Sequence, residues 1–137
     1  MDRSGDRAFV SSENGGTLSI IDIHRDTVTA VVRIGEGTTK PTGVALSPDG
    51  RRLYVANGAA SRVTVIDPAA ARVLSAIEVG TRPWGVALSP DGLTLYTADG
   101  RSNQISVIDT QSGRVRAAIP VGERPYSLVI VPGRVDH

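Results

Sequence analysis

The stretch TRPWGVALSPDGLTLYTADGRSNQISVIDTQSGRVRAAIPVG, residues 81–122, repeats the stretch before it. Moved back by 42 residues, it falls on TKPTGVALSPDGRRLYVANGAASRVTVIDPAAARVLSAIEVG, residues 39–80. Pro83 then lands on Pro41, Ser89-Pro90-Asp91-Gly92 on Ser47-Pro48-Asp49-Gly50, and Val107-Ile108-Asp109 on Val65-Ile66-Asp67. Self-similarity at a fixed step of roughly 40 to 50 residues marks a repeat architecture, in which each unit buries its apolar face only against its neighbours. Every other segment is therefore read in the phase of this repeat.

One full unit holds four short apolar runs, called here A (43–46), B (53–56), C (63–66) and D (73–79). A and B are joined by Ser-Pro-Asp-Gly, where proline presets the turn and glycine accepts a positive φ at no steric cost. B and C are joined by the loop 57–61, and Asp67-Pro68 opens the turn into D. The third unit copies this through Gly122, and residues 126–131 read as one further A strand. Toward the N-terminus, Ala8-Phe9-Val10 matches Leu53-Tyr54-Val55, residues 17–22 alternate inward Leu18 and Ile20 with outward Ser19, and 28–34 is β-branched apart from Ala30 and Arg33. The offset there is 45 residues, because GEGTTKP (35–41) is three residues longer than GTRP (80–83), and an insertion in a loop costs little.

The chain thus reads B-C-D, A-B-C-D, A-B-C-D, A, or twelve strands. The repeat units cover about 1–40, 41–82 and 83–124, with a closing strand at 125–131, all in a single segment over 1–137. No helix is expected: Ala69-Ala70-Ala71-Arg72 is too short, and its counterpart at 111–114 does not keep the propensity. Four-stranded antiparallel units at this spacing define an all-β fold built from β-propeller blades.

The repeat resembles the YVTN-family β-propeller repeat, also described as a surface-layer-type or lactonase-like propeller repeat. The resemblance is carried by Leu53-Tyr54-Val55-Ala56-Asn57 and Leu95-Tyr96-Thr97-Ala98-Asp99. RPWGVALSPDG (82–92), Val65-Ile66-Asp67, Val107-Ile108-Asp109 and the closing Val79-Gly80 and Val121-Gly122 flank them. The first unit departs, with Ala8-Phe9-Val10-Ser11-Ser12 and with Arg3-Ser4-Gly5 in place of Pro-Asp-Gly, but keeps the pattern. The resemblance implies a seven-bladed, exported parent, periplasmic or extracellular, acting as a binding scaffold, a cofactor-associated propeller or a sugar-lactone hydrolase.

Propellers close with about four to eight blades, so three units call for a partner. Because the final A strand is what the opening B-C-D lacks, two chains exchanging terminal A strands would make a six-bladed homodimeric ring. The alternative is a C-terminal fragment of a larger seven-bladed propeller that supplies the missing blades. An open arc leaves two blade faces in water. At about 500 Å² of apolar surface each and ~25 cal/mol per Å², that is on the order of 12 kcal/mol per face, comparable with the stability of a whole domain.

Composition removes several function classes. The 137 residues carry 15 basic against 14 acidic side chains, which argues against a nucleic-acid coat. Lys40 is the only lysine, the other basic residues being arginines. There is no cysteine, hence no disulfide framework, thiolate metal site or cysteine nucleophile. No run approaches the ~20 apolar residues of a membrane helix, and Met1-Asp2-Arg3-Ser4-Gly5-Asp6-Arg7 lacks the apolar core of an export signal. His24 and His137 do not repeat, so no Ser/His/Asp arrangement can be assembled from the units. The lone Gly35-Glu36-Gly37 opens no helix, so it is no phosphate cradle. No cofactor or metal is expected, and a non-enzymatic role is favoured over an enzymatic one.

What remains is the loop face on which D-to-A and B-to-C connections meet. Lys40, Arg82 and Arg124 each precede the proline that opens an A strand, with Trp84 and Tyr126 beside them and Thr42 at the same position. Cations around a concave mouth focus an anion, and aromatic faces stack on a flat ligand, so the expected guest is a small anion or a peptide. Asn57, Asp99, Arg101 and Asn103 are secondary candidates, assigned to the B-to-C loops. Asp22, Asp67 and Asp109 recur after strand C and are expected to accept backbone N–H bonds from the next turn.

Overall fold

The structure, a computed structural model, describes residues 6–34 and 40–131. Residues 2–5 of the expected opening turn, most of the inserted loop, Gly35-Glu36-Gly37 and His137 lie outside the described residues. Among the described residues eleven strands form three antiparallel sheets. The first holds β1 (Arg7–Ser12), β2 (Thr17–Asp22) and β3 (Thr27–Arg33). The second holds β4 (Pro41–Leu46), β5 (Leu53–Asn57), β6 (Arg62–Asp67) and β7 (Arg72–Glu78). In the third lie β8 (Pro83–Leu88), β9 (Thr94–Asp99), β10 (Gln104–Asp109) and β11 (Arg114–Pro120). Within each sheet the strands pair in chain order, as the B-C-D and A-B-C-D readings require. No helix forms among the described residues.

The turns do what their composition predicts. In both Ser-Pro-Asp-Gly turns the serine hydroxyl donates to the aspartate carboxylate at 2.6 Å, and that carboxylate accepts the backbone N–H of the residue after glycine at 2.9 Å. Gly50 and Gly92 both take φ of 75°. These bonds hold the carboxyls of Asp49 and Asp91 below the usual range, the serine hydroxyl contributing most. The aspartates after the C strands behave as expected: Asp22 accepts from His24 and Arg25, Asp67 from Ala69 and Ala70, and Asp109 from Gln111, each through backbone N–H groups. Each C-to-D ladder slips at the same place, between Ile20/Ile21, Val65/Ile66 and Val107/Ile108. A bulge at a constant position raises the local twist, so all three blades share one curvature.

The sheets stack face to face with the A strands converging: β4 and β8 lie against one another, whereas β7 and β11 scarcely meet. The close approach depends on glycine. A β-carbon on Gly43 would fall 2.6 Å from the Trp84 carbonyl oxygen and 3.0 Å from the Gly85 Cα. Two apolar layers fill the gaps between blades. Leu18, Ile20, Val32 and Ile34 meet Leu53, Val55 and Ile66 in the first; Tyr54, Val63, Val65 and Ile77 meet Leu95 and Ile108 in the second. Burial pushes the Tyr54 hydroxyl above its ordinary pKa.

One expectation needs correcting. Residues 125–131 form no strand and have no ladder partner among the described residues, so the count is eleven rather than twelve. A strand exists only where another chain segment meets its N–H and C=O groups. The segment nonetheless follows the path of an A strand: a β-carbon on Gly85 would fall 2.8 Å from the Ser127 Cα and 2.9 Å from the Tyr126 carbonyl oxygen. That repeats the Gly43–Gly85 contact one blade further on.

Candidate functional site

Three connections of the third blade meet at one end of its sheet. The loop before β8 brings Arg82 and Trp84, the β9–β10 loop brings Gly100, Arg101 and Asn103, and the segment after β11 brings Glu123, Arg124 and Tyr126. Together they line a depression of about 760 Å³. Of the nine candidates named from the sequence, it gathers Arg82, Trp84, Arg124, Tyr126, Arg101 and Asn103.

The aromatic groups form a short stack. The Arg82 guanidinium carbon stands 5.0 Å from the centre of the Trp84 ring, and Trp84 and Tyr126 stack at 5.3 Å with 24° between planes. A guanidinium over an indole is a favourable cation–π pair. With two neighbours already on it, Trp84 is a wall of the depression, and Tyr126, 69% exposed, is its open ring.

Arg82 and Arg124 share a backbone peculiarity, with φ of 61° and 52°. The left-handed region is uncommon for side chains other than glycine, asparagine or aspartate, and such outliers concentrate at ligand sites. Their amides are held from the neighbouring loop: Arg124 N–H donates to Asn103 Oδ1 at 2.9 Å, and Arg82 N–H approaches Ser61 Oγ at 3.5 Å. Asn103, itself at φ 54°, thus acts as a backbone anchor for Arg124. The guanidinium groups of Arg82, Arg101 and Arg124 have no ion-pair or hydrogen-bond partner among the described residues. Against these three cations, Glu123 is the single acid of the lining. The mouth is net positive and its donors are unspent.

Three candidates lie elsewhere. Lys40 holds the position of Arg82 one blade earlier, with its carbonyl accepting Gly58 N–H at 3.0 Å as Arg82 accepts Gly100 N–H at 2.9 Å, and it does not line the depression. Asn57 and Asp99 are not loop residues: each is the last residue of a B strand, and both are buried. Asn57 Nδ2 donates to Thr64 Oγ1 at 2.6 Å. Asp99 accepts from Thr97 at 2.8 Å, from Gln104 at 3.2 Å and from Ser106. Ser106 Oγ in turn accepts Gly80 N–H from the preceding blade's exit at 3.4 Å. These bonds tie strand ends together within the sheets, and Asn57 Oδ1 is left buried without a partner among the described residues.

Gly100 and Glu123 were missed from the sequence. Gly100 was findable, because it repeats Gly58 and stands opposite the aromatic position of the A strand. Thr42, expected beside the mouth, instead spans the inner strands, donating to the Trp84 carbonyl at 2.8 Å, and lines a second hollow of about 380 Å³ with Ser11, Glu13 and Ser127. Among the described residues no three His, Asp or Glu side chains cluster as a metal site would need. His24 pairs with Asp6 at 2.8 Å at an exposed turn. No helix of the described residues is long and apolar enough to cross a membrane.

Antiparallel sheets of matching twist, stacked through their faces with their A strands converging, are consecutive blades of a β-propeller. The family model of the lactonase, 7-bladed β-propeller, matches residues 2–124, and the chain belongs to that family. Among solved structures it is similar to Kuenenia stuttgartiensis hydrazine synthase, at 31% identity and a TM-score of 0.86. The match covers 93% of this chain and 36% of that one, so the chain spans little more than a third of this relative's length. No curated protein matches it.

Proposed function

We propose that the chain is a non-enzymatic binding module of a β-propeller, which captures a small organic anion, or an acidic peptide side chain, at the mouth formed by Arg82, Arg101, Arg124 and Tyr126. The observation that carries this reading is the set of three guanidinium groups, none with an ion-pair or hydrogen-bond partner among the described residues, around one exposed tyrosine ring. Guanidinium forks grip carboxylate or phosphate in a planar, often bidentate way, and a phenol face accepts a flat group beside the anion. Among the described residues the lining offers one carboxylate, Glu123, with no histidine or serine in the lining beside it, and we read the site as one of binding rather than turnover.

Trp84 gives the test a built-in reporter, since it is the only tryptophan of the chain and lies in the lining. Titration with benzoate, cyclohexanecarboxylate and inorganic phosphate is expected to change its emission saturably, with benzoate tightest. A response to none of the three overturns the reading.

A second reading has its own support in the family match and the 36% coverage. In it the chain supplies three blades of a larger ring, and any lactone-hydrolysing or cofactor-associated chemistry belongs to that ring as a whole. Assay of a chain extended to seven blades against sugar lactones tests it; turnover there that the 137-residue chain lacks would establish it.

A further inference from the structure

Asparagine or aspartate precedes glycine at Asn14-Gly15, Asp49-Gly50, Asn57-Gly58, Asp91-Gly92 and Asp99-Gly100. Such a pair can close on itself, because the glycine nitrogen completes a five-membered ring with the side-chain carbonyl carbon and no β-carbon shields the approach. What decides whether it does is how far the two reacting groups are already engaged.

In the four pairs after the first, the glycine N–H is committed. Gly50 donates to the Ser47 carbonyl at 2.9 Å, Gly58 to that of Lys40 at 3.0 Å, Gly92 to that of Ser89 at 2.9 Å and Gly100 to that of Arg82 at 2.9 Å. Their side chains are held as well. Asp49 and Asp91 accept serine hydroxyls, Asn57 is buried and donates to Thr64, and Asp99 accepts from Thr97 and Gln104. Asn14 and Gly15 differ in every respect: both are exposed, and neither the Gly15 N–H nor the Asn14 side chain has a hydrogen-bond partner among the described residues. We propose that Asn14 is a site of spontaneous deamidation, at which the β1–β2 turn exchanges an amide for a carboxylate.

In this reaction the Gly15 nitrogen bonds to Asn14 Cγ while its proton passes to the departing side-chain nitrogen. The Cγ–Nδ2 bond breaks, and ammonia leaves a succinimide ring. Water then opens either ring C–N bond, giving aspartate or isoaspartate, so that amide and water become carboxylate and ammonium with nothing oxidised or reduced. The hairpin does not depend on the reacting nitrogen, since the Gly16 N–H donates to the Ser12 carbonyl at 2.9 Å and Ser12 pairs with Thr17. Nor does the exposure belong to the first blade alone. The counterparts of Asn14 in the next two blades, Ala59 and Arg101, are also exposed although each of those blades has another before it. Deamidation sets a second negative charge beside Glu13 and takes the formal net charge of the chain from +1 to zero, where self-association is favoured.

Trypsin separates the two asparagines, because residues 8–25 and 53–62 each lie between arginine cleavage points. The full chain aged in mildly alkaline buffer, then digested and weighed by mass spectrometry, is expected to gain one dalton in peptide 8–25, split between aspartate and isoaspartate forms. That gain should run at least about tenfold faster than in peptide 53–62, the factor that one broken hydrogen bond is worth. In concentrated urea the two peptides are expected to react alike. A β-carbon on Gly15 meets nothing nearer than 3.5 Å, so Gly15→Ala is expected to keep the melting transition and to suppress the gain. Equal gains in the two peptides of the folded chain, an unchanged peptide 8–25 where the urea-treated chain reacts, or an undiminished gain in Gly15→Ala overturns the proposal.

Discussion

Trp84 lies against Gly100 so closely that a β-carbon there would stand 2.6 Å from the indole Cδ1 and 2.7 Å from Nε1. The aromatic wall of the mouth thus exists because the loop beneath it has no side chain. Gly100→Ala is expected to push the indole off its seat, with a shift in Trp84 emission and a roughly tenfold loss of anion affinity. Destabilisation should stay within about 1–3 kcal/mol, the cost of a local overpacking. Unchanged emission and affinity would show that the indole has another seat.

Arg82→Ala and Arg124→Ala each remove one charged donor. A hydrogen bond to a charged group contributes roughly 1.5–3 kcal/mol, so each variant should bind benzoate about ten- to a hundredfold more weakly by fluorescence titration. Lys40→Ala, at the same repeat position but outside the lining, should bind as the parent does. Equal effects from all three would mean that the charge acts at long range and not through this mouth.

Asn103 tests whether the left-handed backbone of Arg124 matters. Asn103→Ala deletes the acceptor of the Arg124 N–H while leaving every guanidinium in place. The expected outcome is weaker anion binding, roughly three- to tenfold, with Arg82-dependent binding retained. Loss of the same size in an Arg124→Ala background would refute the coupling.

Gly43→Ala sets a methyl group against the backbone of the next blade rather than against a side-chain tip. Because neither strand can yield without moving its blade, a loss of about 2–3 kcal/mol is expected in denaturant unfolding. Alanine at Gly58 meets nothing nearer than 3.4 Å and should cost far less. The contrast between the two separates axial packing from general glycine effects.

Asp49 and Asp91 give the fold a predictable acid limb. Their carboxyls are held low in the folded state, so their contribution is present above the ordinary carboxylate range near about pH 4. It fades as pH falls through the lowered folded values. The double variant Asp49→Asn, Asp91→Asn should show a smaller drop in melting temperature than the parent between about pH 5 and about pH 2.5. Both groups are fully exposed, so the difference should be modest, and an identical slope would remove these turns from the acid response.

The architecture was legible because it is written three times. The Ser-Pro-Asp-Gly turns, the aspartates after the C strands and the alternation of B and C each state a local rule that the fold obeys without conflict. The mouth was legible in part: Arg82, Trp84, Arg124 and Tyr126 share one phase of the repeat, and converging A strands bring that phase together. Lys40 shares the phase too, but its place belongs to the neighbouring blade. Asn57 and Asp99 were misread because a polar residue after an apolar run suggests a loop. Here each strand runs one residue further and buries its polar end against Thr64 or against Thr97 and Ser106. The left-handed backbone at Arg82 and Arg124 left no sequence signal, since arginine does not advertise a positive φ as glycine does. The closing strand failed for a different reason: strandness belongs to a pair, and residues 125–131 hold only one half of it.

The Gly43–Gly85 and Gly85–Ser127 approaches recur at an unchanged 42-residue spacing along the axis. A deletion or insertion within a blade would misalign every contact downstream of it, while gain or loss of one whole unit would leave each surviving contact intact. Such a molecule can change its girth in the course of evolution only by whole increments, as a chain gains or loses links.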